Sequence, residues 1–143
     1  MKLYRIGNFL YKKRIPVLPK IIDVLIRLVH NCAVYSETSI GTGTAFGYGG
    51  IAVVIHKRSI IGNNCMIGSN VTIGGRSKSA DVPVIGDNVY IATGAKILGS
   101  VRIGNNVVVG ANAVVITDVP ANCVVAGVPA KIIRQNIDPK DYY

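Results

Sequence analysis

Tryptophan is absent from this 143-residue chain, and phenylalanine and histidine occur only twice each. So thin an aromatic set gives no platform for stacking nucleic-acid bases, and no nucleic-acid motif accompanies the net charge of +9. Long hydrophobic runs are also missing. Ile21 to Val29 covers nine residues and carries Asp23 and Arg27, too short and too charged to span a bilayer. Nothing at the start reads as a cleavable signal, because Lys12-Lys13-Arg14 and two prolines follow the first apolar run. The three cysteines, Cys32, Cys65 and Cys123, are odd in number and lack metal-ligand spacing. A cytoplasmic, reducing location is the expectation. Acidic residues are scarce: residues 1–30 hold seven Lys/Arg against Asp23 alone. That excess is either a solvated face or a region drawn to anions: a phosphorylated cofactor, an acidic partner or membrane headgroups.

What is present counts in sixes. Ile61, Ile67, Ile73, Ile85, Ile91, Ile97, Ile103, Val109 and Val115 begin hexads in one phase. Four residues after most of them comes a small or branched residue: Cys65, Val71, Val89, Ala95, Val101, Val107, Ala113, Val119. A helix repeats its apolar residues at three and four, and a plain strand alternates by two. Neither describes this run. Three hexads make one triangular coil, and stacked coils enclose a core that no single coil can bury. The pattern predicts an all-β, left-handed parallel β-helix, with Cys65 as a reduced thiol inside it.

Residues 1–33 read as a short helical cap. Leu3, Ile6, Phe9 and Leu10 form the stripe of one helix, Pro16 and Pro19 break it, and Ile21, Leu25 and Leu28 face one way on a second. Covering the first coil is the expected task of this pair, with membrane-surface contact the lesser alternative. The β-helix occupies 34–134, and 135–143 is a polar tail. Two irregularities interrupt the coils. Three extra residues sit around Gly47-Tyr48-Gly49-Gly50, and a polar loop runs from Arg76 to Pro83, after which the phase resumes.

His30 ends an apolar helical stretch and reads as structural. His56 takes a hexad position that glycine fills elsewhere. Counted by eighteens, it heads a column of Gly74, Ala92 and Gly110, a bare groove with one titratable group. Neutral imidazole there can take a proton from an acceptor hydroxyl, which then attacks a thioester without a metal. Glu37 or Asp81 would orient such a base, and Tyr48 would line an acceptor pocket.

The runs Val71-Thr72-Ile73-Gly74-Gly75, Ile91-Ala92-Thr93-Gly94-Ala95-Lys96-Ile97-Leu98-Gly99 and Ala126-Gly127-Val128-Pro129-Ala130-Lys131 resemble the hexapeptide-repeat acyltransferases. Within that group the likeness is to serine O-acetyltransferase, over about residues 34–134. The resemblance implies a homotrimer that binds acetyl-CoA between adjacent subunits, with histidine as general base on the acceptor hydroxyl and no metal. By position it places Gly74, Gly75 and Arg76 beside the thioester and pantetheine, and Thr93 and Ala111 along the pantetheine arm. Lys131 falls near the nucleotide, and Lys78, Lys131 and Arg134 are candidate partners of the CoA phosphates. Tyr48 and Asp81 remain for the acceptor pocket. Four positions depart from the family: Gly47-Tyr48 replaces an Asp-His pair, Arg76 replaces threonine, and Val82 replaces the histidine before Pro83. The base is then His56, and the acceptor is L-serine or, as the alternative, a sugar hydroxyl or amine in surface-polysaccharide biosynthesis. A γ-type carbonic anhydrase needs three histidines per zinc site, which His56 and His30 do not supply. A β-helix that only binds partners is the non-enzymatic alternative.

Overall fold

An aliphatic residue every sixth position, with a small or branched one four further on, points both into a narrow prism. Ile67, Ile73, Ile91 and Ile97 are fully buried, as are Val71, Val89, Ala95 and Val107. The computed structural model describes residues 1–76 and 81–142. Two helices, α1 (Lys2–Lys12) and α2 (Leu18–His30), precede a run of very short strands. These are β1 (Ser39–Ile40), β2 (Ala45–Phe46), β3 (Val54–Ile55), β4 (Ile60–Ile61), β5 (Met66–Ile67), β6 (Thr72–Gly74) and β7 (Val84–Ile85). There follow β8 (Tyr90–Ile91), β9 (Lys96–Leu98), β10 (Arg102–Ile103), β11 (Val108–Val109), β12 (Val114–Val115), β13 (Cys123–Ala126) and β14 (Lys131–Gln135).

Through β12 every third strand joins the same parallel sheet, and β13 then follows β11 on the second face. The three faces of the prism are β1-β4-β7-β10, β2-β5-β8-β11-β13 and β3-β6-β9-β12. This is the left-handed parallel β-helix that the hexads predict. Asparagines with positive φ turn the corner after the first face, at Asn64, Asn88, Asn106 and Asn122. Asparagine tolerates this left-handed conformation better than other side chains with a Cβ. The side-chain amides also form a ladder, Asn88 donating to Asn106 at 3.1 Å and Asn106 to Asn122 at 2.9 Å. Cys65 lies inside the prism as expected, and burial pushes its thiol pKa up.

Both irregularities appear, and one changes the count. Phe46 pairs with Ile67, so the first circuit carries three extra residues, held in a 3-10 turn at Gly47–Gly50. Ile85 pairs with Ile103, eighteen residues on, but Ile73 pairs with Ile97, twenty-four on. The loop that begins after Gly75 uses a whole hexad without making a side of the prism. Phase survives because the excursion is a multiple of six, whereas vertical alignment does not.

The cap departs from expectation. α1 presents its polar face to the solenoid. The Tyr4 hydroxyl donates to Thr38 O, Asn8 Nδ2 to Ser36 O at 2.8 Å, and the Arg5 guanidinium to Ile40 O and Gly41 O at 2.7 and 2.6 Å. The first circuit offers a row of main-chain carbonyls at its open end, and donors satisfy them where aliphatics cannot. Ile6 and Phe9 of the expected stripe therefore face solvent, as do Ile21, Leu25 and Leu28 of α2, which packs through Ile22 and Ile26 instead. The C-terminal segment adds a strand that the hexads do not announce. β14 folds back antiparallel on β13 and closes the edge of its sheet.

Candidate active site

The corner that follows β3 is tight. The His56 N–H donates to Ile73 O at 2.8 Å, and the His56 carbonyl accepts from the Ser59 N–H at 2.9 Å. This holds the imidazole half-buried at the prism edge. Its Nδ1 accepts the main-chain N–H of Arg58 at 3.2 Å. A neutral ring held this way carries its proton on Nε2. A backbone amide thus orients the ring where a carboxylate was expected. Of the two acids weighed for that role, Glu37 pairs with Lys57 Nζ at 3.5 Å. Asp81 lies on the same corner as His56 but lines a cavity of about 360 Å³ with Arg58, Val82, Ser100 and Arg102.

The column under His56 differs from the one counted by eighteens. β3, β6, β9 and β12 stack in register, so His56 stands over Gly74, then Leu98, then Ile116. Ala92 and Gly110 belong to the previous corner of the prism, with Gly47, Gly68 and Ala126. The twenty-four-residue circuit causes the difference, and counting with the loop removed brings Leu98 into the column.

Gly74 is bare for a reason other than packing. A Cβ built there meets no described atom within 4 Å. At Gly62 the same atom lies 2.4 Å from the Gly86 carbonyl oxygen. Directly beneath the histidine, therefore, the strand end is uncrowded by any described residue. Gly75 and Arg76 follow, both exposed, and the Arg76 stem lies 3.3 Å from where a Gly99 Cβ would be, one circuit further along the same corner.

The remaining candidates gather on the corner between the second and third faces. Thr93 and Ala111 are exposed there, Thr93 Oγ1 lying 3.4 Å from Ser69 Oγ and the Thr93 carbonyl accepting from Asn112 N–H. Tyr48 projects from the 3-10 turn at the head of this corner, 82% exposed. His30 rests against the same turn, its Nδ1 3.5 Å from where a Gly49 Cβ would be. Lys131 opposes Ala126 at the foot of the corner, and Arg134, further along β14, donates to the Tyr142 hydroxyl at 3.4 Å. Lys78 lies outside the described residues. One chain therefore separates two groups. His56, Gly74, Gly75, Arg76 and Asp81 occupy one edge of the third face, while Tyr48, Thr93, Ala111 and Lys131 occupy the other. Tyr48 and Asp81 do not form one acceptor pocket within a single chain. Arg58, Ser100 and Arg102 join the His56 corner without having been singled out in the sequence, since each sits in a hexad position that carries no pattern.

Comparison with known proteins bears on both edges. Residues 83–117 match the family model described as bacterial transferase hexapeptide (six repeats). A serine acetyltransferase of Synechococcus elongatus is 36% identical over 97% of this chain and 59% of its own length. The crystal structure of Neisseria gonorrhoeae serine acetyltransferase superposes with a TM-score of 0.86 at 33% identity, covering 94% of this chain and 52% of that one. A serine acetyltransferase solved in complex with CoA gives 0.83 at 32% identity, over 92% and 54%. The chain thus spans between half and two thirds of the length of these three relatives, and the likeness takes in nearly all of it.

Proposed function

We propose that this chain, which belongs to the hexapeptide-repeat acyltransferase family, transfers an acetyl group from acetyl-CoA to the hydroxyl of a small acceptor, with L-serine the first choice. The observation that carries this reading is the likeness to serine acetyltransferases along 97% of the chain, which spans both edges of the candidate site.

In the reaction the acceptor oxygen attacks the thioester carbonyl while His56 takes its proton. The carbon–sulfur bond then breaks, and the thiolate of CoA leaves with that proton. Main-chain N–H groups around Gly74-Gly75 are the candidates to hold the oxyanion between these steps. The arrangement at Nδ1 adds a condition. To present an unprotonated nitrogen to the acceptor, the ring must leave the Arg58 N–H, by rotating or by changing tautomer. No described residue crowds Gly74, which leaves room for the thioester beside the ring.

The separation of the two edges gives a reason for assembly. In a homotrimer, the edge carrying Thr93, Ala111 and Lys131 on one copy faces the edge carrying His56 on the next, and the pantetheine arm lies between them. Sedimentation as a trimer supports this reading, and a monomer that turns over acetyl-CoA at full rate defeats it.

Replacing His56 with Ala is the direct test. Acceptor-dependent thiol release from acetyl-CoA is expected to fall by about 10²–10⁴-fold with the melting temperature unchanged. Undiminished release removes His56 from the mechanism. A sugar hydroxyl is the second reading, favoured by the exposed Gly47-Tyr48 turn, which supplies neither the Asp nor the His of the family pattern. Turnover with amino- or deoxy-sugars and none with serine would select it.

A further inference from the structure

α2 is apolar on two adjoining faces. Ile22 and Ile26 face the solenoid, while Leu18, Ile21, Leu25 and Leu28 recur every three or four residues along the outer side and are 42–75% exposed. A helix apolar all round is ordinarily covered all round. The outer stripe is a consequence of how the cap docks: α1 spends its polar face on main-chain carbonyls of the first circuit, and its Phe9 is left 60% exposed.

The charges beside the stripe identify what fits it. Lys12, Lys13 and Arg14 at the end of α1 and Lys20 and Arg27 on α2 are all exposed. The single acid of the first thirty residues, Asp23, is already engaged, its Oδ1 accepting the Ser36 N–H at 2.7 Å and the Ser36 hydroxyl at 2.6 Å. The patch therefore combines aliphatic surface with an excess of positive charge, five cations against Asp23 and, beside Lys20, Glu37. A second copy of the same patch would set these cations against one another in an isologous contact. An anionic lipid surface accepts both features at once. The stripe buries among acyl chains near the headgroups, and the lysine and arginine stems reach outward to phosphates. Lys13 Nζ already lies 5.8 Å from the centre of the Phe9 ring, so an aromatic and a cation share one end of the patch. No helix among the described residues is long and apolar enough to cross a membrane, which leaves α2 lying flat on the surface.

We propose that the outer face of α2, with Phe9 and the basic end of α1, docks this protein on anionic lipid bilayers. The inference stands apart from the acetyl-transfer reading, because none of its residues belongs to the candidate site.

Flotation of the intact chain with vesicles tests it. Vesicles of phosphatidylcholine with phosphatidylglycerol are expected to carry the protein, and vesicles of phosphatidylcholine alone are not. Raising salt from about 0.1 to 1 M shortens the screening length roughly threefold and should release most of the bound protein. Leu25→Glu with Leu28→Glu should weaken binding by at least about tenfold while leaving the circular dichroism unchanged, because both side chains already face water. Lys12→Glu with Lys13→Glu should remove the preference for anionic lipid. Equal flotation with neutral vesicles, or none with either, overturns the proposal. So does a change in sedimentation mass caused by the leucine variants without lipid, which assigns the stripe to another copy of the chain.

Discussion

Two corners of the same prism use glycine for opposite reasons. After the first face, Gly41, Gly62 and Gly86 stack on one another, and a Cβ added at Gly41 or Gly62 falls 2.4–2.5 Å from the main chain of the next circuit. After the third face, Gly74 lies under His56 with nothing described within 4 Å of its missing side chain. In the sequence both are the second residue of an Ile-Gly hexad. The first corner is glycine because the fold has no room. At the second no described atom crowds the position, and a bound ligand is the reason we propose for keeping it bare.

Alanine substitutions graded along this contrast put it at risk. The largest effect is expected at Gly62. Its added Cβ meets the Gly86 carbonyl and the Asp87 carboxylate at 2.4 Å, and the backbone half of that contact cannot swing away. Gly62→Ala should cost about 1–3 kcal/mol of unfolding free energy, read as a lower urea midpoint with the slope unchanged. A midpoint matching the parent protein would mean that the corner relaxes and that its glycines are not there for packing. A smaller effect is expected at Gly110, where the nearest atom is the Ala126 methyl at 3.1 Å, on the hairpin that closes the solenoid. Gly110→Ala should destabilise by under about 1 kcal/mol, in the ordinary range for a mild steric change.

How far the sequence leads is visible in the same residues. Ile61 to Val115 announce their burial because a period of six has no other common origin, and the structure buries all of them. The column beneath His56 was out of reach of counting. An excursion worth one hexad preserves phase but adds no side to the triangle, so Ile73 meets Ile97 and not Ile91. Phase reports which way a side chain points, and only pairing reports what it stands over. α2 was ambiguous for a different reason. Ile21, Leu25 and Leu28 make as good a stripe as Ile22 and Ile26, and periodicity cannot choose between two apolar faces. α1 went against its stripe because the open carbonyls of the first circuit bind Tyr4, Arg5 and Asn8. That demand is set by the edge of the solenoid and leaves no trace in the helix's own pattern. β14 was hidden because all five of its residues are exposed, so nothing in them alternates.

Gly74→Ala gives the smallest change in stability and bears most directly on function. The φ of Gly74 lies outside the left-handed region, so alanine adopts it without strain, and the added methyl touches nothing described. Replacing a glycine at such a site restricts the unfolded chain more than the folded one and typically stabilises by about 0.4–1 kcal/mol. The urea midpoint should therefore rise slightly. Activity should move the other way. If the thioester and the oxyanion lie over this strand end, the methyl occupies their space, and kcat/KM for acetyl-CoA should fall by about tenfold or more, the equivalent of roughly 1.4 kcal/mol in the transition state. A variant more stable and less active than its parent fits only a glycine kept for a ligand. If stability and turnover both stay at the parent level, the space over Gly74 is merely vacant surface. The cofactor would then have to be sought along the other edge of the third face, beside Thr93 and Ala111.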